Sequence, residues 1–415
     1  MTTSTPVPIP ATASGPLSGL VVVDLSRMLA GPFCTMLLAD LGATVIKIEP
    51  PAGDLTRPMG PFADDDELKA YGGYFQSVNR NKYGAVVDLT TAEGAEVVRR
   101  LVAGADILVE NYRPGVMERL GLGYEQLAEI NPGLVYTAVR GFGDPRTGAS
   151  PYQDWPSYDI VAQAMGGLLG ITGPVGGPPT KTGPGLGDIL PAIYAALGTL
   201  AAVRERETSG HGRFVDVSMY DAVLASCERI VYQHSYRGTV PGPEGNGHPI
   251  LSPFDVFPAR DGWIALAAPS DNHWVALCKA VGRPELGDDP RFRTNVDRSA
   301  HSGEVRDVLG RWTAERTREE ITALLGGLVP VGPVNTADTI LADPHVHARN
   351  MLHQVEHPGM ARPVTIAASP IKFAGAEHSP ARRAPLLGEH TDHVLRRAGY
   401  GPEDITELRR SGAVH

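Results

Sequence analysis

An aspartate marks an abrupt change of composition. From Gly166 to Gly187 the chain reads GGLLGITGPVGGPPTKTGPGLG, and Asp188 then opens an apolar segment that runs to Val203. Ile189, Ile193, Leu197 and Leu200 recur at helical spacing. That spacing predicts a buried helix with Asp188 at its N-cap and Pro191 in its first turn. A cap of this kind contributes about 1 kcal/mol. The same place suits a second role. The positive end of a helix macrodipole keeps a carboxylate ionised, and the glycines before it leave its approach uncrowded. An ionised, accessible carboxylate can attack an activated acyl carbon and form an anhydride. One residue can serve as both cap and nucleophile.

Other chemistries find little support in the spacing. Neither CxxC nor HExxH occurs. The closest histidine pairs, His345-Val-His347 and His390-Thr-Asp-His393, have no third ligand nearby in sequence, so no metal is expected. The run Gly183-Pro-Gly185-Leu-Gly187 contains Pro and lacks a following Lys-Ser/Thr, so it is not a P-loop. The chain carries no GxSxG elbow, and its first strand leads into Ser26-Arg27-Met28-Leu29-Ala30-Gly31 rather than a dinucleotide fingerprint.

The elements around these residues alternate. Gly19–Leu25, Thr44–Glu49, Ala85–Leu89, Asp106–Val109, Leu134–Val139 and Phe214–Met219 read as strands. Pro32–Leu41, Ala92–Val102 and Tyr220–Tyr232 read as helices. Strands alternating with helices predict a doubly wound α/β domain, whose ligands lie beyond the carboxyl ends of the strands. At that rim stand Arg27, Arg57, Arg113, Arg119 and Arg140, with Lys47 close by and Arg80 and Lys82 before the Ala85 strand. Their recurrence at strand ends favours an anion site over solvated surface charge. After a loop at 238–249, a smaller module follows, with a strand at Trp263–Ala267 and helices near His273–Val281, Ser302–Thr313 and Arg318–Leu325. Val331–Val334 reads as the return to the first domain.

Composition narrows the partners. The chain has 415 residues and a formal charge of −10, so neither nucleic acid nor anionic lipid is an expected partner. Three cysteines, Cys34, Cys227 and Cys278, exclude a disulfide scaffold and suit a cytoplasmic location. The first sixteen residues are rich in Thr, Ser, Pro and Ala and lack the apolar core of a signal peptide. The longest apolar stretch, Ile189–Val203, is shorter than the ~20 residues of a membrane span.

Several segments together resemble one family. Leu25-Ser26-Arg27 with Ala30-Gly31-Pro32, Leu41 to Glu49, Asn79-Arg80-Asn81-Lys82 and Val109 to Gly115 resemble the family III CoA-transferases, the group of formyl-CoA and carnitinyl-CoA transferases. So do Tyr158-Asp159 with Gln163-Ala164, Gly187-Asp188, Val215 to Met219, Val331 to Val334 and Ala384 to Thr391. The matches hold their order and spacing from about Leu17 to Leu395.

The resemblance implies a ring-shaped subunit, with a large Rossmann-like domain on a parallel sheet and a smaller α+β domain, in an interlocked homodimer. Residues 1–16 are then a disordered N-terminus and 17–225 the first part of the large domain. Residues 226–333 are the small domain with its linkers, and 334–415 return to the large domain. It also implies that Asp188 is the nucleophile of a CoA-transferase, which passes through aspartyl anhydride and aspartyl-CoA thioester intermediates. No cofactor is bound permanently, and the CoA thioester and a carboxylic acid are substrates. Ala30, Lys82, Asn111, Tyr112, Arg119 and Tyr158 match CoA-contacting positions, with Arg113 adjacent. Met219 matches a position along the pantetheine path, where core packing is an equal alternative. The loop with Gly245 and Gly247 resembles a glycine lid over the active site.

Two departures matter. Arg27 and Leu29 replace the His and Gln of formyl-CoA transferase, which argues against formate and oxalate. Arg27 could bind a second carboxylate, as in succinate. The related α-methylacyl-CoA racemases place a catalytic His where this chain has Tyr158, and a phenol with a pKa near ~10 is a poor base at neutral pH. Transferase chemistry is therefore favoured over the alternatives, racemization or epimerization and a non-catalytic CoA-binding homologue.

Overall fold

The computed structural model describes residues 15–375 and 381–415. The 1–16 expectation thus lies almost wholly outside the described residues. The chain divides into two compact units. The larger holds the chain up to Leu168, Gly183–Val231 and His345–His415, and the smaller holds Leu169–Thr182 and Tyr232–Pro344.

In the larger unit six strands form one sheet: β1 (Val21–Asp24), β2 (Thr44–Glu49), β3 (Tyr83–Val86), β4 (Ile107–Glu110), β5 (Val135–Arg140) and β6 (Phe214–Ser218). Their order is β3-β2-β1-β4-β5-β6 and every pairing is parallel. Strands β1, β4 and β5 are buried along their whole length, as unbroken apolar runs covered by helices on both faces require. The helices are α1 (Ala30–Asp40), α2 (Gly73–Asn79), α3 (Ala92–Val102), α4 (Val116–Arg119), α5 (Tyr124–Ile130), α6 (Asp159–Met165), α7 (Leu186–Ser209), α8 (Met219–Ser226) and α9 (Glu228–Arg237). The helix expected over Tyr220–Tyr232 is therefore two, broken at Cys227. The chain order reverses between β1 and β4, where an open α/β sheet leaves a crevice.

Helix α7 corrects the expectation built on its apolar spacing. Its buried face is made of Gly187, Pro191, Ala192, Ala195, Ala196, Thr199, Ala202 and Val203. Ile193 is 47% and Leu197 64% exposed. Small residues allow α7 to approach α1 and the sheet closely, and Thr199 hydrogen-bonds Thr137 of β5 at 2.7 Å. The bulky stripe is thereby left outside. Residue Gly185, not Asp188, is the N-cap, and Asp188 is the third residue of the helix. Pro191 is its sixth, past the first turn.

The smaller unit contains the antiparallel sheet β7-β8-β9, formed by Phe254–Ala259, Gly262–Ala267 and Val331–Pro333. Strand β9 pairs with β8, so Val331–Val334 belongs to this unit and is not the return to the larger one. Its Pro is tolerated because β9 is an edge strand. One face of the sheet packs on α10 (Asp271–Ala280) and, after short helices at Glu285–Asp288 (α11) and Asn295–Ala300 (α12), on α13 (Ser302–Ala314) and α14 (Arg318–Leu325).

The returning chain forms the hairpin β10 (Leu352–Val355) and β11 (Val364–Ala367), and its later part guards the open edge of β3. The backbone N–H of His390 donates to the Gly84 carbonyl at 2.8 Å, and Val86 N–H donates to Thr391 Oγ1 at 3.1 Å. The Ala384–Thr391 motif thus has a structural use: it covers edge groups that would otherwise be left unpaired.

Candidate active site

At the crevice the turns after β1 and β4 are tied together. Asn111 Oδ1 accepts the Arg27 N–H at 2.9 Å, and Asn111 Nδ2 donates to the Arg27 carbonyl at 2.7 Å. The Arg27 guanidinium lies over the Tyr112 ring, 5.0 Å from its centre. Ala30 is buried as the first residue of α1. The turn is tight: a methyl on Gly31 would lie 2.2 Å from Ser26 Cβ.

The nucleophile candidate comes to the same turn through two neighbours. Asp159, the first residue of α6, takes the Gly187 N–H on Oδ1 at 2.8 Å and the Gln163 amide at 2.7 Å. The start of α7 is thus capped from another helix, which is why Asp188 need not cap its own. A methyl on Gly187 would lie 2.4 Å from the Asp159 carbonyl oxygen, so only glycine allows this contact. Leu29 packs against Gly185. The structure therefore brings together Arg27, Ala30, Asn111, Tyr112, Tyr158 (the exposed N-cap of α6) and half-buried Asp188.

Tyr74, on α2, is a site residue that the motif reading missed. Burial, together with the negative charges of Asp188, Asp54 and Asp159, pushes its phenol up to about 12. It therefore stays neutral and able to donate a hydrogen bond beside those carboxylates. The only sequence signal was an aromatic residue after Gly72-Gly73, shortly before the Asn79–Lys82 motif.

The basic rim divides in two. Lys47 pairs with Asp54 (3.0 Å), Arg57 with Glu49 (2.6 Å), Arg80 with Asp40 (2.5 Å) and Arg140 with Glu110 (2.6 Å) and Asp144, all in the interior. These four are not an anion site. Lys82 likewise departs from the expected CoA contact. It is 1% exposed, and its ammonium donates to Asp24 Oδ2 (3.0 Å), the Pro32 carbonyl (2.9 Å) and Asn79 Oδ1 (2.9 Å). All three of its hydrogens are used beneath the β1–α1 turn, where a buried carboxylate requires a counter-charge. Burial pushes Asp24 up, but Lys82, Lys47 and the hydroxyls of Ser26 and Thr35 pull it down to about 2. Arg27, Arg113 and Arg119 are exposed and form no ion pair among the described residues. Met219 is buried at the start of α8 and packs in the interior.

Gly245 and Gly247 lie in the smaller unit. Gly245 donates its N–H to the Gly173 carbonyl at 2.8 Å. Their loop lines a cavity of about 360 Å³ within that unit, beside the Arg306–Asp255 pair.

A parallel sheet in this strand order, with Asp188 in the glycine-approached first turn of α7 and Leu29 of the β1–α1 turn packed on Gly185, defines an α/β protein with an open crevice. The sequence pattern of CoA-transferase family III matches residues 17–391, and the chain belongs to that family. It is a CoA-transferase, an enzyme that moves CoA between an acyl-CoA donor and a carboxylic acid acceptor. A succinyl-CoA:mesaconate CoA-transferase of Haloarcula hispanica is 50% identical over 388 residues, 93% of this chain and 97% of that one. A succinate–glutarate CoA-transferase of Agrobacterium fabrum is 38% identical over 92% of this chain and 95% of its own. The crystal structure of a CaiB/BaiF family protein from Brucella suis superposes with a TM-score of 0.81. It is 35% identical, and the match covers 93% of this chain and 100% of that one.

Proposed function

We propose that the enzyme transfers CoA between dicarboxylic acids, succinyl-CoA among the donors, with Asp188 as the covalent nucleophile. The observation that carries this reading is Asp188 in the first turn of α7, with Gly187 held by Asp159 and the Arg27 turn alongside. A carboxylate in a helix's first turn is favoured as the anion.

An Asp188 oxygen attacks the donor thioester carbon. The C–S bond breaks, CoA thiolate leaves, and a mixed anhydride remains. The thiolate attacks the aspartyl carbonyl, releasing the donor acid and leaving an aspartyl-CoA thioester. The acceptor carboxylate attacks that thioester and again displaces the thiolate. The thiolate then takes the acceptor acyl group, which restores the Asp188 carboxylate. Each addition creates an oxyanion that nearby donors must stabilise.

Arg27, exposed at the crevice, is the residue we assign to the second carboxylate of a dicarboxylic acid, and Arg113 and Arg119 to the phosphates of CoA. Both assignments rest on charge chemistry. The relatives named above use succinyl-CoA or succinate, which supports the choice of substrate class. A homodimer is supported by the exposed apolar face of Ile193, Tyr194 and Leu197 on α7, with Ile160 of α6 also exposed. The acidic chain with three free, buried cysteines suits the cytoplasm.

Trapping is the direct test. Hydroxylamine or borohydride added during turnover, followed by mass spectrometry, is expected to find the modification on Asp188. The Asp188→Ala variant is expected to lose activity by about four orders of magnitude or more. Undiminished acyl exchange in that variant would refute the mechanism.

A further inference from the structure

A cavity of about 390 Å³ lies in the larger unit, between the end of β10 and the segment 381–390 that guards the edge of β3. Its lining includes none of Asp188, Arg27, Arg113 and Arg119. The volume is that of a small-ligand pocket. Three of its charged side chains are already committed. Arg383 holds Glu389 through two bonds, at 2.8 and 2.7 Å, and Lys82 spends its hydrogens on Asp24, Pro32 and Asn79.

Two charged side chains of the lining, Arg382 and Glu356, form no ion pair among the described residues. Arg382 Nη2 donates to the Asn81 carbonyl at 2.7 Å, and its guanidinium lies 4.2 Å from the centre of the Tyr83 ring. Its Nε and Nη1 have no partner among the described residues, yet neither is sealed from solvent. His390 adds a second donor beside it, packed edge-on against the same tyrosine with centroids 5.1 Å apart. The Gly84 N–H donates to His390 Nδ1 at 3.2 Å. Burial pushes this histidine down, Glu389 pulls it up, and Arg382, Arg383 and His393 push it down again. The ring is therefore neutral with its hydrogen on Nε2, an atom that is also open and without a partner among the described residues.

The β10 side offers the opposite chemistry. Gln354 and Glu356 are exposed two residues apart, on one side of the strand, with buried Val355 between them. Gln354 Nε2 donates to Thr365 Oγ1 at 2.8 Å, which leaves Oε1 as an acceptor. The free groups thus sort by sign: a cation with a neutral donor on one wall, a carboxylate with a neutral acceptor on the other. A plain anion would be repelled by Glu356 and a plain amine by Arg382.

We propose that this cavity binds an α-amino acid with an uncharged side chain, as the zwitterion. Its carboxylate accepts from Arg382 and from His390 Nε2, and its ammonium donates to Glu356 and Gln354 Oε1. Buried Val355 and Pro385 give the side chain an apolar floor.

The test is calorimetric titration of the full chain with L-valine, beside isovalerate, which lacks the ammonium, and isobutylamine, which lacks the carboxylate. L-Valine is expected to bind, and each of the other two at least roughly tenfold more weakly. Arg382→Gln and Glu356→Gln are each expected to weaken L-valine roughly tenfold while basal CoA transfer is unchanged. If Arg382→Gln fails to fold, Glu356→Gln, on the exposed rim, decides alone. L-Valine binding that survives Glu356→Gln overturns the proposal, as does an absence of binding to the unaltered enzyme. Isovalerate that binds as well as L-valine and is lost in Arg382→Gln also overturns it, in favour of a simple anion site. Loss of the Asp188 mechanism would leave these outcomes unaffected.

Discussion

Two groups of basic side chains occupy the same edge of the sheet and behave oppositely. Lys47, Arg57, Lys82 and Arg140 point into the protein and each meets a carboxylate, whereas Arg27 and Arg113, in loops, and Arg119, at the end of α4, are exposed with none among the described residues. The first group holds the strand ends and turns in place, and the second is available to an anionic substrate. Position at a strand's carboxyl end therefore does not make a cation a ligand. What decides is whether a carboxylate already shares its environment.

Breaking the buried group gives the largest expected effect. Lys82→Met leaves the Asp24 carboxylate buried without its nearest counter-charge and is expected to cost about 3–5 kcal/mol in denaturant unfolding. At temperatures where it stays folded, its KM for the CoA thioester is expected to be unchanged. A selective rise in that KM with normal stability would move Lys82 into the open group.

Acid titration examines the same pair without mutation. Asp24 is held near 2, below its unfolded value of about 3.8, so its contribution is complete above that unfolded value. It is lost as pH falls through 2, and is worth roughly 2 kcal/mol in all. The acid-dependent loss of stability is expected to shrink in Asp24→Asn. An unchanged acid profile would show that Asp24 is not the group being held.

Smaller effects are expected from the open group. Arg113→Ala and Arg119→Ala should each raise the KM for the CoA thioester roughly tenfold with little change in Tm. Arg27→Ala should raise the KM for a dicarboxylate by a similar factor and spare a monocarboxylate, and equal effects on both would remove its assigned role. Smallest is Tyr74→Phe, expected to lower kcat several-fold by removing a neutral donor beside Asp188, at unchanged KM for CoA. A full kcat would place that phenol outside the chemistry.

Many elements of both units were legible because their signals are local. Thr44–Glu49, Ala92–Val102 and Arg318–Leu325 form with the bounds their patterns predict. Strand β7 was missed because Pro258 interrupts its pattern, and α18 (Pro402–Arg410) because it is short and highly charged. The helices α15 (Ala337–Ala342), α16 (Pro344–Ala348) and α17 (Thr391–Arg397) that come before it are also short.

By itself, the sequence determined the alternation of strands and helices and the Gly187-Asp188 junction, since periodicity, glycine and charge act over a few residues. Tertiary structure decided which face of α7 is buried, that Asp159 caps the helix carrying Asp188, and which cations remain open. Asp24 and Lys82 are 58 positions apart, and Gly187 and Asp159 are 28 apart. Burial and ion pairing depend on what the fold brings within about 4 Å, and no local pattern encodes that distance.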